Sequence, residues 1–199
     1  MSHHHGSSPT VTGAARFALI GSPNSGKTTL FNALTGLRAK TGNYPGVTVS
    51  RFSGVTDAGG TPVVVEDLPG TYSLDPISPD ERIVTEVLDP HHHATQTPDA
   101  LIVVLDSTTL PRSLGLLAHV LQADQPVAVV VTFTDELTRR GGAMDVRSLS
   151  TALGVPALAV VAGARTGVDD LRDLMVDSRG WARPVVPPPT DPQEISGWV

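Results

Sequence analysis

The segment GSPNSGKTTLFNALTG, residues 21–36, constrains the fold more than any other stretch of the chain. It follows a short apolar run, ARFALIG (15–21), opens with Gly, Ser, Pro and Asn, and ends with helical character. Gly21, Gly26, Lys27 and Thr28 satisfy G-x-x-x-x-G-K-[ST] in the setting that motif requires, after a strand and before a helix. The glycines let backbone N–H groups turn inward onto phosphate oxygens, and the helix N-terminus adds its dipole. The nucleotide-binding residues expected here are Gly21, Asn24, Ser25, Gly26, Lys27, Thr28 and Thr29. Lys27 is placed to reach the β- and γ-phosphates, and the Thr28 hydroxyl to bind Mg²⁺. Lys27 and Lys40 are the only lysines, against twelve arginines. A compact ammonium suits a phosphate cradle better than a planar guanidinium does.

The rest of the chain alternates strand-like and helix-like runs. GVTVSRFSGVTDA (46–58), TPVVVEDLPG (61–70), DALIVVLDST (99–108), PVAVVVTFTD (126–135) and PALAVVAGA (156–164) read as strands. SPDERIVTEVL (78–88), SLGLLAHVLQAD (113–124), DVRSLSTALG (145–154) and GVDDLRDLMVDS (167–178) read as helices. Continuous Val/Leu/Ala runs mark strands buried on both faces, and their alternation with helices marks a largely parallel sheet. The expectation is a doubly wound α/β domain over 15–180, of the P-loop NTPase class, with six strands and helices on both faces. Residues 1–14 are expected to form a disordered arm, and 181–199 a proline-rich linker opening a further, truncated domain. Hydrophobic residues make up 40% and charged residues 17%, as in a folded soluble domain. The net charge of −6 gives no basic footprint for nucleic acid. Cysteine is absent, which excludes disulfides and thiolate metal sites.

A second motif narrows the chemistry. DLPG (67–70) ends the Val-rich strand, where Asp67 is placed to hold Mg²⁺ through water and Gly70 to offer its N–H to a γ-phosphate. Following the phosphate loop at this distance, it reads as the D-x-x-G sensor of a GTPase. Between the two, TGNYPGVTV (41–49) supplies Thr48, a candidate to close over Mg²⁺ and the γ-phosphate.

In this order and spacing, GSPNSGKTTLFNALTG, GNYPGVTV, DLPGTYSL and SPDERIV resemble the G domain of the ferrous iron transport protein B (FeoB) family. The resemblance covers roughly residues 15–180. It implies a Ras-like GTPase fold, binding of GTP and GDP, and a place on the cytoplasmic face of the bacterial inner membrane. It also implies a downstream helical domain and a polytopic permease as partners in the full-length protein, with nothing barring an oligomer. By the same resemblance Asn24 matches the loop asparagine that holds a monovalent cation in potassium-activated GTPases. Gly42 and Tyr44 match the positions whose backbone carbonyls bind that K⁺, and Thr48 matches the switch I threonine. The family commonly has Trp where Tyr44 stands, a change a backbone ligand survives.

Two elements depart from a guanine-specific pattern. Where N-K/M-x-D is usual, the chain reads Thr132-Phe133-Thr134-Asp135. Asp135 can accept from guanine N1–H and N2–H₂, but the bracing asparagine has become Thr132. In VVAGARTG (160–167) the later S-A-x element survives as Gly163-Ala164, without its serine. Losing one buried hydrogen-bonding partner costs about 1–3 kcal/mol, or roughly 5- to 150-fold in affinity. Guanine remains favoured, because adenine offers Asp135 no matching N1–H donor.

The remaining features read as ordinary structure. His91, His92 and His93 sit in a polar loop, and three consecutive histidines cannot converge on a metal from a regular element. Thr71 stands where Ras-like enzymes carry the water-positioning Gln, which implies slow intrinsic hydrolysis. Arg82, Arg112 and Arg165 read as solvated surface charges, and Asp169 and Asp170 as first-turn carboxylates that favour a helix dipole. Two alternatives stand beside the transporter reading. One is an Era-like ribosome-assembly GTPase, against which the acidic balance and short tail count. The other is a nucleotide-binding switch with eroded base motifs and little turnover.

Overall fold

The computed structural model describes residues 13–37, 39–44, 48–72, 78–89 and 97–184. The N-terminal His run, His91–His93 and nearly all of the proline-rich tail lie outside the described residues. The strands are β1 (Arg16–Gly21), β2 (Ala39–Asn43), β3 (Ser50–Ala58), β4 (Thr61–Asp67), β5 (Ala100–Asp106), β6 (Val127–Thr132) and β7 (Ala157–Ala159). The helices are α1 (Lys27–Thr35), α2 (Pro79–Leu88), α3 (Leu114–Val120), α4 (Thr134–Arg139), α5 (Val146–Leu153) and α6 (Val168–Met175).

The sheet runs β2-β3-β4-β1-β5-β6-β7. β1 pairs in parallel with β4 and β5, and β5–β6–β7 continue in parallel, while β2–β3 and β3–β4 are antiparallel. Because strand residues alternate between faces, two cores form. Ala18, Ile20, Leu101, Val103, Leu105 and Val129 pack toward the side of α2, α3 and α5. Phe17, Leu19, Ile102, Val104 and Val130 pack toward the side of α1 and α6. Central strands buried on both faces account for their nearly unbroken apolar sequence.

Three details differ from the sequence reading. The sheet has seven strands rather than six, because Ala39–Asn43 adds an edge strand. Its residues are mostly exposed and polar, so no hydrophobic period announced it. Helix α4 replaces the expected end of a strand over 134–135; none of its residues is buried, so it too lacked an apolar stripe. Packing also continues past residue 180. Trp181 is buried, its ring centroid lies 6.0 Å from that of Phe17, and its indole N–H donates to the Leu174 carbonyl at 3.0 Å.

Parallel strands carry their following helices to opposite sides of the sheet around β1, which opens a crevice at the carboxyl ends of the strands. The loops after β1, β4, β6 and β7 all reach that edge. The phosphate loop and residues 67–70, 132–135 and 163–164 lie at those strand ends or in the loops that follow, whereas Gly42, Tyr44 and Thr48 belong to the edge hairpin and its turn.

Candidate nucleotide site

The phosphate loop links Gly21 to Lys27. Gly26 has φ +83, a conformation that suits glycine, and it caps α1 without any side-chain hydrogen bond. The first amides of α1 are therefore left for a ligand rather than for a capping side chain. Gly70 packs so closely on this loop that a side chain would meet the Pro23 nitrogen at 3.0 Å. The Thr71 amide donates to the Gly21 carbonyl at 3.1 Å, and the Leu68 amide to the Leu19 carbonyl at 3.2 Å. The D-x-x-G turn is thus laced directly onto the phosphate loop.

The two motifs meet at Asp67. The Lys27 ammonium pairs with its Oδ1, and the Thr28 hydroxyl donates to its Oδ2 at 2.8 Å. Lys27 and Asp67 are 7% and 5% exposed, so this pair sits in the floor of the site rather than on its surface. A pocket of about 480 Å³ opens above it, lined by Lys27, Thr28, Thr48, Asp67 and Gly70 among others. Thr28, Thr48 and Asp67 are an all-oxygen donor set, which suits Mg²⁺. Thr71 is fully buried and lines neither pocket of the site, so its hydroxyl is not placed to order water.

The second pocket, about 490 Å³, lies on the other side of the loop. Asn24, Gly26, Thr29, Thr132, Phe133, Asp135, Arg139 and Gly163 are among its lining residues. Thr132 is 3% exposed, and its hydroxyl lies 2.7 Å from the Ser25 carbonyl and 3.0 Å from the Leu105 carbonyl. It ties β6 to the phosphate loop and so keeps the loop-bracing half of the usual asparagine's work. Asp135 lies at the pocket rim, where Arg139 reaches its carboxylate at 3.3 Å. Arg139 also pairs with Glu136, which Arg140 contacts at 2.8 Å. The surviving S-A-x element forms a short 3₁₀ turn over Ala162–Ala164. Gly163 lines the pocket, whereas Ala164 does not, and its amide donates to the Val161 carbonyl at 3.0 Å.

Phe133 escaped the sequence reading. It adopts φ +57, which is uncommon for an aromatic residue, and is 37% exposed. Its ring lies 3.3 Å from where a Gly26 side chain would begin, so it walls the pocket beside the phosphate loop. Its place as the second residue of Thr132–Asp135 was the available signal. Asp106 and Thr108 also line this pocket, but the Asp106 carboxylate is taken up by the Thr108 amide and hydroxyl, both at 2.7 Å.

The monovalent-cation donors do not share either of these two pockets. Asn24, exposed and at φ +64, lines the second pocket. Gly42 stands opposite Arg51 in the edge hairpin, and Tyr44 follows it; neither lines either pocket. Arg82, Arg112 and Arg165 are exposed, as the sequence suggested.

The family model for ferrous iron transport protein B matches residues 15–175. The Fe(2+) transporter FeoB of Salmonella typhimurium is 40% identical over 159 residues, covering 80% of this chain and 20% of the relative. That of Leptospira biflexa is 39% identical over 157 residues, covering 79% and 22%. The chain thus spans about a fifth of the length of these curated relatives. The crystal structure of the G domain of the T. maritima FeoB iron transporter shares 36% identity at a TM-score of 0.76, covering 83% of this chain and 99% of that one. The cytosolic domain of the same transporter in its GMPPNP form shares 34% identity at a TM-score of 0.77, covering 86% and 67%. An S. thermophilus NFeoB mutant bound to GDP shares 37% identity at a TM-score of 0.75, covering 86% and 66%. No helix among the described residues is long and apolar enough to cross a membrane. By family model, sequence identity and fold alike, the chain belongs to the ferrous iron transport protein B family and corresponds to its N-terminal, Ras-like G domain.

Proposed function

We propose that this domain binds GTP and GDP, hydrolyses GTP slowly, and regulates a ferrous iron transporter from the cytoplasmic face of a bacterial membrane. The observation that carries the reading is the meeting of Lys27 and Thr28 on Asp67, under a pocket that Thr48 and Gly70 complete. Relatives solved with GDP and in a GMPPNP form support the choice of ligand. When bound, Mg²⁺ supplies charge neutralisation at the β- and γ-phosphate oxygens. Thr28 and Thr48 would hold it directly and Asp67 through water. Lys27, relieved of Asp67, would turn its ammonium to the phosphates, while Gly70 offers its amide. Asp135 would accept from the guanine N1–H and N2–H₂, with Gly163 and Ala164 beside the base. The downstream helical and transmembrane parts of the full-length protein are its partners on this reading.

A monovalent cation belongs to the same proposal. The Asn24 side-chain oxygen and the Gly42 and Tyr44 carbonyls are neutral oxygen donors, which suit K⁺. A large ion there would offset charge building between the β- and γ-phosphates, the task of an arginine finger elsewhere.

The buried Thr71 and the arginine-paired Asp135 favour one second reading, a nucleotide switch with little turnover. Affinities for GDP, GTP and ATP measured side by side, with multiple-turnover phosphate release, test both. Equal affinity for all three overturns the guanine assignment. Guanine-selective binding without phosphate release leaves the switch.

A further inference from the structure

Tyr44 is bonded in a way that phosphate chemistry does not require. Its ring is 2% exposed, its hydroxyl donates to Glu66 Oε1 at 2.8 Å, and the Arg51 guanidinium lies 5.8 Å from the ring centroid. Glu66 is itself 6% exposed, and its other oxygen is held by Arg16 at 3.1 Å and Arg51 at 2.9 Å. Burial, followed by the neighbouring Glu66 charge, pushes the phenol well above its ordinary range, so the hydroxyl stays a neutral donor.

The surroundings of this anchor say what it serves. Glu66 precedes Asp67 on β4, so the phenol is pinned one residue from the carboxylate that joins Lys27 and Thr28. The Tyr44 amide donates to the Val49 carbonyl at 3.1 Å, continuing the ladder one step beyond the Asn43–Ser50 pair. Thr48, adjacent to Val49, lines the phosphate-side pocket with Lys27 and Asp67. Tyr44 also belongs to the apolar cluster that includes Ile83, Val84 and Val87 of α2, with Val49 packed against it. One buried side chain therefore joins the end of the edge hairpin to β4 and to the core beneath the helix that follows D-x-x-G.

We infer that Tyr44, anchored on Glu66, is a positioning residue that holds Thr48 at the phosphate pocket and so sets the preference for a triphosphate over a diphosphate. The inference rests on the nucleotide reading above. Thr48 is the group expected to meet Mg²⁺ and the γ-phosphate, and ordering it before binding removes part of the entropic cost of binding. A hydrogen bond to a charged group is worth enough that its loss moves an equilibrium by about tenfold.

The test is calorimetry with GMPPNP and GDP in Mg²⁺, on the native domain, Tyr44→Phe, Glu66→Gln, Thr48→Ala and the Tyr44→Phe/Thr48→Ala double variant, each with a thermal melt. Phenylalanine keeps the buried volume and removes only the hydroxyl. The GMPPNP-to-GDP affinity ratio should fall about tenfold in Tyr44→Phe. It should fall in Glu66→Gln as well, because the amide has one oxygen to serve both the phenol and the Arg16 and Arg51 guanidiniums and no charge to strengthen either contact. Once Thr48 is gone, the Tyr44→Phe change should have almost no further effect on the ratio. A native ratio in Tyr44→Phe, or equal weakening of both nucleotides alongside a lower melting temperature, overturns the anchor alone. A native domain that binds neither nucleotide overturns the anchor and the nucleotide reading together.

Discussion

At the phosphate end of the crevice, Lys27 and Asp67 are buried against each other and the D-x-x-G turn is bonded to the phosphate loop through Thr71 and Gly21. At the base end, the Asp135 side chain is 48% exposed, and the arginine that pairs with it is shared with Glu136. The first end is made of backbone and short bonded side chains whose positions the strands dictate. The second is made of surface side chains with partners of their own. Phosphate binding should therefore be all-or-none in its residues, whereas base selectivity should be graded and open to improvement.

The largest effect expected is at the phosphate end. Thr28→Ala and Lys27→Ala should both reduce multiple-turnover phosphate release to background. Their melting temperatures should separate them. Lys27→Ala strands the buried Asp67 carboxylate, a loss of roughly 3 kcal/mol for a buried pair, whereas Thr28→Ala removes one hydrogen bond from a carboxylate that keeps its cation. Native turnover in either variant would remove the proposed site.

The next effect concerns the cation. K⁺ should stimulate hydrolysis and Na⁺ should not, because the smaller ion draws the carbonyl donors too close. The gain should fall below the roughly 10³–10⁵ of an arginine finger, since a large ion is a more diffuse charge. Turnover in the two salts at fixed ionic strength, in the native domain and Asn24→Ala, is the measurement. Equal native rates in both salts would exclude the role.

At the base end, Asp135→Ala should collapse the preference for GDP over ADP. Hydrogen bonds to a charged group contribute about 1.5–3 kcal/mol, or roughly 10- to 150-fold. Competition from Arg139 places this domain toward the lower end. Phe133→Ala should act differently and sharpen the contrast. Aromatic stacking is indifferent to which purine it meets and is worth about 1–3 kcal/mol per base. GDP and ADP should weaken together in calorimetry, with their ratio unchanged. A changed ratio would mean that Phe133 reads the base edge.

The same contrast explains what was legible in the sequence. The phosphate loop and Asp67 were readable because each needs particular residue types at fixed spacing, and the flanking strands carry an apolar signal. The edge strand Ala39–Asn43 and helix α4 were not, because neither buries enough apolar surface to leave a period. Tyr44 was legible as a position in a motif but not as a buried phenol on Glu66, since that contact spans 22 residues and depends on how β4 and the hairpin meet. In the sequence alone, Thr132 is the loss of an amide. Its hydroxyl's contacts with two carbonyls became visible only once Ser25 and Leu105 were placed beside it.

Thr132→Asn is accordingly expected to produce the smallest change, and a gain. The single hydroxyl hydrogen of Thr132 lies within reach of the Ser25 and Leu105 carbonyls but can bond only one at a time, whereas an asparagine NH₂ carries two donors. What it adds is a second donor. Among the described residues the Ser25 and Ser107 hydroxyls are buried without hydrogen-bond partners, and the Ser107 amide donates to the Thr132 carbonyl at 3.1 Å, so the asparagine oxygen has a donor close by as well. One added hydrogen bond contributes about 0.5–1.5 kcal/mol. Against it stands fit, because a planar amide must replace a branched side chain at a site only 3% exposed. The balance should raise the melting temperature slightly and tighten GDP by less than about tenfold, with the affinity for ADP nearly constant. Thr132→Val is the matched control. It keeps the shape and removes the hydroxyl, leaving two buried carbonyls without that donor, so it should weaken GDP and lower stability together by about 1–3 kcal/mol. If Thr132→Asn weakens GDP while Thr132→Val does not, the hydroxyl is no brace, and the base end owes its geometry to packing of Phe133 on the phosphate loop instead.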